Sequence, residues 1–103
     1  MAEKEVAAVI LPTTHYLLKL PDPPVRKLIE GGVIFALGSD FNPNAYCMSM
    51  PFVMNLACIN LKAKPKEALV AATLNSAASM DRSSSVGSIE IGKKGDFVIL
   101  NTQ

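Results

Sequence analysis

The sequence predicts an α/β fold in which parallel strands are joined by helices. Two uninterrupted apolar runs, residues 6–11 and 33–37, have the length and composition of strands buried on both faces. A segment with helical periodicity lies between them, which is the order of a strand, a crossover helix and a second parallel strand. Ligands bind at the carboxyl ends of strands in such sheets, so we expect functional residues just after these runs.

The connection between the two runs is predicted to contain one helix, from about residue 22 to residue 30. Asp22 is a suitable N-cap, Pro23 suits the first helical position, and Gly31 and Gly32 supply the stop. Residues 12–15 begin with a proline after the first run, and we expect them to form its exit loop.

Two further helices are predicted after the second run. Ser49 or Met50, together with Pro51, opens the first of them, and its apolar residues form a broad face. The second is predicted to run from residue 65 to about residue 80. Its N-cap position holds Lys64, a poor capping residue, so we expect a slightly frayed start.

The pattern changes near residue 84. Residues 81–85 are polar and interrupt the helical pattern, and residues 88–91 and 97–100 are typical of two short strands joined by a turn at 92–96. We therefore predict two parts, a helix-linked unit over residues 1–83 and a separate β layer over residues 84–103.

Composition excludes several classes of protein. The 103 residues include ten Lys and Arg and nine Asp and Glu, spread along the chain, so no basic face for nucleic acid is predicted. Cys47 and Cys58 show no CxxC spacing, which favours reduced thiols in a cytosolic protein. We find no signal-peptide pattern, and no apolar run approaches the ~20 residues of a membrane span, so a cytoplasmic location is predicted.

The stretch that follows the second run is the candidate site. Asp40 lies there among small and polar residues, where a carboxylate can act as a metal ligand or a general base, or can simply cap the next turn. His15, the single histidine, follows the first run, but a catalytic zinc ion usually takes about three protein ligands. We therefore interpret His15 as a surface or helix-start residue and leave both roles of Asp40 open.

Four segments taken together resemble the metal-dependent amidohydrolases and, more narrowly, the imidazolonepropionase family. The segment at residues 87–96, Gly-Ser-Ile-Glu-Ile-Gly-Lys-Lys-Gly-Asp, is typical of the whole superfamily. Ser-Asp-Phe-Asn-Pro at residues 39–43, combined with Leu-Pro-Thr-Thr at residues 11–14, is narrower. The fourth segment lies in the last predicted helix, at residues 67–75.

The resemblance implies a (β/α)8 barrel beside a small β-sandwich. Residues 1–83 would be the last two barrel strands with their helices, and residues 84–103 would be part of the sandwich. The chain would then be the C-terminal portion of a longer enzyme, and its partner would be the missing N-terminal part of the barrel. The complete enzyme is expected to be a homo-oligomer.

The resemblance also implies the roles of individual residues. Asp40 matches an aspartate that is both a ligand of a single zinc or iron ion and a proton shuttle. Asn42, Asn44 and Ala45 match the loop that binds the substrate's propionate or the product's carboxylate. Many family members have Gly at position 44 and Ser or Thr at position 45, so a contact from Ala45 would have to come from its backbone.

The activity implied for the complete enzyme is hydrolysis of the ring amide of 4-imidazolone-5-propanoate to N-formimino-L-glutamate, a step of histidine degradation. The family's other metal ligands are histidines on earlier strands, so we expect this chain alone to be inactive. Two alternatives stay open. The chain could belong to another amidohydrolase such as a nucleobase deaminase, or it could be a non-catalytic α/β interaction module.

Overall fold

A computed structural model describes residues 1–101 of the chain. Its sheet contains two parallel strands, β1 (Ala8–Ile10) and β2 (Phe35–Leu37), in the register Ala8 to Phe35 and Ile10 to Leu37. The prediction that the two apolar runs are adjacent parallel strands is confirmed. Each strand is shorter than the apolar run that contains it.

Burial differs between the two strands. All three residues of β2 are buried, whereas Val9 in the middle of β1 is 50% exposed. The expectation of burial on both faces therefore holds for β2 and is wrong for β1. The physical reason is that three helices contact β2, while within residues 1–101 no element covers Val9 on the outer side of β1.

Two helices form the connection between the strands. The first, α1 (Pro12–Leu18), replaces the exit loop predicted at residues 12–15, so that prediction was wrong. Pro12 occupies the first helical position, where a missing N–H costs no hydrogen bond. The helix ends at Leu18, and the C-cap residue Lys19 has a left-handed backbone with φ 52°.

The second connecting helix is α2 (Val25–Glu30), which ends where the sequence predicts but begins later. Pro24 precedes the helix, and a proline disfavours helical backbone in the residue before it, here Pro23. Asp22 is consequently not an N-cap, and the prediction of that role was wrong.

The helix after β2 is α3 (Met50–Ile59), as predicted. Ser49 is its N-cap, with the Ser49 hydroxyl accepting a hydrogen bond from the Phe52 N–H at 3.4 Å. The core forms where α4 packs against β2 and α3 packs against α4. Its buried residues are Val25, Phe35, Leu37, Cys47, Val53, Ala57, Leu61, Ala63, Ala68 and Ala71.

The single helix predicted over residues 65–80 is two helices, α4 (Pro65–Ala72) and α5 (Leu74–Ser79), so that prediction was wrong. Thr73 separates them with φ −121° and ψ −87°, and its hydroxyl donates to the Leu69 carbonyl at 2.8 Å. Such side-chain bonds to the preceding turn often bend helices. At the start of α4 the Glu67 carboxylate accepts from the Lys64 N–H at 2.7 Å, which satisfies one free donor.

The strands predicted at residues 88–91 and 97–100 are absent from the described part of the chain. Residues 81–95 form turns, bends and irregular backbone instead, with the Lys94 N–H bonded to the Ser85 carbonyl at 2.9 Å. Ile89 is 90% exposed and Ile91 is fully exposed. A strand requires a neighbouring strand to satisfy its backbone, and no strand within residues 1–101 lies beside this segment.

The division at residues 83 and 84 stays a prediction, and residues 102 and 103 of the predicted β layer lie outside the described residues. Within residues 1–101, none of the helices combines the length and apolar character needed to cross a membrane.

Candidate functional site

The carboxyl ends of β1 and β2 meet at one edge of the sheet. Helix α1 starts directly after β1, and two of its threonines bind the loop that follows β2. The Thr13 hydroxyl donates to the Ser39 carbonyl at 2.9 Å, and the Thr14 hydroxyl donates to Oδ2 of Asp40 at 2.6 Å. Parallel pairing therefore brings the candidate site next to the exit of the first strand.

Asp40 is half-buried and has a left-handed backbone, with φ 49°. Aspartate is one of the few residue types that adopt this conformation readily. Glu5 and Lys19, which share it, are C-caps of helical turns, whereas Asp40 follows a strand. Within residues 1–101 the other carboxylate oxygen of Asp40, Oδ1, accepts no hydrogen bond, so it is available to a ligand.

Asn42 organises the turn after Asp40. Its Nδ2 donates to the Asp40 carbonyl at 2.6 Å, and its Oδ1 accepts from the backbone N–H groups of Asn44 at 2.8 Å and Ala45 at 3.2 Å. The Asn42 carbonyl also accepts from the Ala45 N–H at 3.1 Å. Asn42 thus forms an Asx turn, as Asn commonly does, and keeps one Nδ2 hydrogen for another acceptor.

The three residues predicted to bind the substrate, Asn42, Asn44 and Ala45, lie on this single turn. Asn44 is exposed, so its side-chain amide faces solvent. Ala45 is buried, and its N–H is already bonded to Asn42. The donors open to a ligand carboxylate are therefore the Asn44 amide and the second Nδ2 hydrogen of Asn42. The roles of these residues stay predictions.

Two aromatic rings close the base of the turn. The Phe41 and Tyr46 rings lie 4.9 Å apart between centroids and are tilted by 55°, a favourable geometry for an aromatic pair. Neither this pair nor the Thr13 and Thr14 contacts was predicted from the sequence. The threonines follow the end of β1, so the predicted parallel order of the strands was a signal that could have placed them beside Asp40.

The observed partner of His15 is Asp22. Its Nε2 is 3.1 Å from Oδ1 of Asp22, on the segment that joins α1 to α2. In the part of the chain that the structure describes, no hydrogen bond or ion pair joins His15 to Asp40, and no group of three or more His, Cys, Asp or Glu could hold a metal ion. Residues 1–101 therefore contain no complete metal site, and the role of Asp40 as a metal ligand stays a prediction.

Helix α5 holds the other edge of β2. The Asn75 side chain donates to the Phe35 carbonyl at 2.7 Å. The Ser76 hydroxyl lies 2.8 Å from the Leu37 carbonyl and 2.7 Å from the Ala71 carbonyl, and its one hydrogen is shared between these two acceptors. The Ile34 carbonyl points towards β1. Because successive carbonyls along a strand point to opposite edges, the Phe35 and Leu37 carbonyls face away from β1. The strand that leads to Asp40 is thereby bonded on both edges.

An ion pair links α2 to α4 away from the site. Arg26 Nη1 lies 2.5 Å from Oε2 of Glu67. The Lys64 N–H, followed by the Arg26 guanidinium, lowers the pKa of the Glu67 carboxyl below its ordinary value. The Glu67 carboxylate in turn raises the pKa of Arg26.

Comparison with known proteins gives consistent similarities. A model of the amidohydrolase family matches residues 13–103. An imidazolonepropionase of Bacteroides fragilis is 46% identical over 103 residues, and proteins named probable imidazolonepropionase from Bos taurus and Homo sapiens are 55% and 54% identical over 102 residues. These alignments cover 99% of this chain. The chain spans about a quarter of each relative, 24% for the two mammalian proteins and 25% for the bacterial one.

A solved structure, the guanine deaminase of E. coli, superposes with a TM-score of 0.79. The match covers 91% of this chain and 23% of that protein, at 22% sequence identity. At that identity the match shows that the fold is shared.

Proposed function

This chain belongs to the amidohydrolase family, and on that premise we propose that it is the C-terminal part of an imidazolonepropionase. The reaction would be hydrolysis of the ring amide of 4-imidazolone-5-propanoate to N-formimino-L-glutamate in histidine degradation. The observation that carries the proposal is the Asp40 carboxylate, which is fixed at a strand end through one oxygen and open at the other. Similarity to imidazolonepropionases along the chain supports the choice of substrate.

We place β1 and β2 as the last two strands of a (β/α)8 barrel. Their parallel pairing and helical crossover support this placement. Within residues 1–101, β1 pairs with a strand on one edge, so its other edge can pair with a further strand in the longer protein. Residues 84–103 are proposed to join a small β-sandwich, in which the exposed Ile89 and Ile91 would be covered.

Asp40 would be one ligand of a single zinc or iron ion. The fit is chemical: one carboxylate oxygen is held by Thr14, and the other is available to a cation. When bound, the ion would polarise the ring carbonyl and lower the pKa of a water. Because residues 1–101 contain no cluster of three ligand residues, the remaining ligands would come from the rest of the longer protein.

The proposed chemical role of Asp40 is proton transfer. Its carboxylate takes a proton from the attacking water as the water oxygen forms a bond to the ring carbonyl carbon. The carbon–nitrogen bond of the ring then breaks, and Asp40 returns the proton to the departing nitrogen. No proton is gained or lost by the carboxylate over the cycle.

The substrate's propionate is proposed to bind at the turn that Asn42, Asn44 and Ala45 form. Asn42 and Asn44 offer side-chain N–H donors, which suit a carboxylate. The Ala45 N–H is already bonded to Asn42, so Ala45 shapes the turn and would contact the propionate only if binding broke that bond. We further propose a cytoplasmic enzyme, because Cys47 and Cys58 are unpaired thiols. A homo-oligomeric state stays a prediction.

The experiment that tests the function uses the complete protein that contains this chain. Purified protein is incubated with 4-imidazolone-5-propanoate, and loss of the imidazolone is followed by ultraviolet absorbance, with guanine and cytosine as comparison substrates. We expect turnover of the imidazolone only. Turnover of a nucleobase would favour a deaminase, and the absence of turnover on all three would favour a non-catalytic module. The 103-residue chain alone is the control and should be inactive.

A further inference from the structure

We propose that Thr14 is a positioning residue, whose hydroxyl fixes the Asp40 carboxylate so that Oδ1 is presented to the metal and the attacking water. The proposal rests on the proposed function of Asp40. It adds that the Asp40 side chain must be held in one orientation, because a carboxylate with free rotation would present either oxygen in many directions.

The first argument is the contact itself. The Thr14 hydroxyl lies 2.6 Å from Oδ2, within the range of a strong hydrogen bond to a charged oxygen. Threonine is stiff at χ1 because its Cβ is branched, so its hydroxyl is held in few directions. Thr14 also lies in α1, a regular element whose backbone is fixed, and a donor there is more precisely placed than one in a loop.

The second argument is the neighbouring contact. Thr13 is 2% exposed, and its hydroxyl donates to the carbonyl of Ser39, the residue before Asp40. Successive threonines thus bind successive loop residues, one through the main chain and one through the side chain. Thr13 sets the position of the loop backbone relative to α1, and this places the Asp40 carboxylate within reach of Thr14.

The third argument concerns the backbone of Asp40. Its φ of 49° is a sparsely populated conformation, which persists where surrounding contacts hold it. The Asn42 side chain binds the Asp40 carbonyl from the opposite direction along the chain, at 2.6 Å. With Ser39, Asp40 and the turn all held, Oδ1 is the one oxygen of the Asp40 carboxylate that accepts no hydrogen bond within residues 1–101.

The test compares variants of the complete protein. Thr14→Val removes the hydroxyl and keeps the branched shape, and Thr14→Ser keeps the hydroxyl. The matched control is Thr73→Val, since the Thr73 hydroxyl makes a similar 2.8 Å bond to the Leu69 carbonyl away from the site. The readouts are kcat and KM for the imidazolone, metal retained after dialysis against a chelator, and melting temperature.

Thr14→Val is expected to lower kcat by about 10- to 100-fold, the scale of a small misplacement of a catalytic group. KM should stay near the wild-type value because the substrate's binding contacts are unchanged. Metal should be lost more readily than from wild type. Thr14→Ser should keep most of the wild-type kcat and metal retention, and Thr73→Val should change neither kcat nor metal retention.

A lower melting temperature for Thr14→Val with unchanged kcat and metal retention would overturn the proposal, because Thr14 would then only stabilise the fold. If Thr14→Val does not fold, Thr14→Ala replaces it in the test, because it removes the same hydroxyl with a smaller side chain. The results expected for Thr14→Ala are those given for Thr14→Val. Equal loss of kcat in Thr14→Ser and Thr14→Val would also overturn the proposal. Failure of the wild-type protein to hydrolyse the imidazolone would refute the proposed function instead, and metal retention would still test Thr14.

Discussion

Replacement of Gly87 by alanine should loosen helix α5 and, through it, strand β2. A Cβ at Gly87 would lie 2.7 Å from the Ala77 Cβ and 3.1 Å from the Thr73 carbonyl oxygen. The glycine also has a φ of +95°, which disfavours any other residue. Because α5 carries the Asn75 and Ser76 contacts to β2, displacement of α5 would reach the strand that precedes Asp40.

Gly92 provides a matched control for the size of the effect. It has a similar φ of +91°, but no atom lies within 4 Å of its added Cβ. Gly92→Ala should therefore cost only backbone strain, about 1–3 kcal/mol. Gly87→Ala should cost a similar strain together with about 1–3 kcal/mol of overpacking, because the Ala77 Cβ lies on α5 and the Thr73 carbonyl is bonded to the Ala77 N–H, so both have little room to move.

Hydrogen exchange in the complete protein measures this difference locally. The amides of Ala77 and Arg82, bonded to the Thr73 and Ala77 carbonyls, report on α5 and on the segment packed against it. An excess of about 1–3 kcal/mol corresponds to protection about 5- to 150-fold lower in Gly87→Ala than in Gly92→Ala. Equal protection in the two variants would refute the close packing of Gly87 on α5.

Two further predictions concern the Ser76 hydrogen bond to β2 and the charge of Glu67 in the ion pair between α2 and α4. Ser76→Ala should destabilise the protein by about 1–3 kcal/mol, since it removes the hydroxyl that is shared between the Leu37 and Ala71 carbonyls; a melting temperature no lower than that of Ser79→Ala, which loses a hydroxyl on the same helix, would contradict this. Glu67 has a lowered folded-state pKa, so its stabilising contribution is present above its unfolded pKa of about 4.3 and is lost as pH falls through the folded value. The wild-type protein should therefore have a higher melting temperature than Glu67→Gln near neutral pH, and the two melting temperatures should become equal in acid. A constant difference between them across that pH range would show that the charge has no role.

The sequence predicted the parts of the fold that depend on local pattern. The apolar runs around β1 and β2 and the capped start of α3 at Ser49 are local signals, and the structure confirms them. Helix α1 was missed because Pro12 was interpreted as a terminator of the strand, whereas proline also suits the first position of a helix. A proline can end a strand or begin a helix, and the residues around Pro12 do not distinguish between these two positions.

Other features depend on contacts that local pattern does not express. The break at Thr73 contains neither glycine nor proline, and it accompanies the tertiary bonds of Asn75 and Ser76 to β2. The late start of α2 follows from consecutive prolines at residues 23 and 24, and the helix prediction used only the first of them. Residues 88–91 have the composition of a strand, yet a strand also requires a partner, which composition cannot supply.

The candidate site was predicted in part. The position of Asp40 at a strand end followed from the apolar run before it, and the family resemblance is confirmed by the match over residues 13–103. The metal and substrate roles of Asp40, Asn42, Asn44 and Ala45 rest on that resemblance and stay predictions. The Thr14 contact joins residues 26 positions apart; the predicted parallel order of the strands places the two residues near each other, and the hydrogen bond between them comes from the structure.

The most direct test of the account is Asp40→Asn in the complete protein. The amide keeps the size of the side chain and can still accept a hydrogen bond from Thr14, but it cannot take a proton from water. We expect kcat for the imidazolone to fall by ~10² to 10⁴, the usual value of general acid–base catalysis, while the melting temperature stays close to that of wild type. A kcat within a few-fold of wild type would contradict the account and leave Asp40 as a turn residue without a catalytic role.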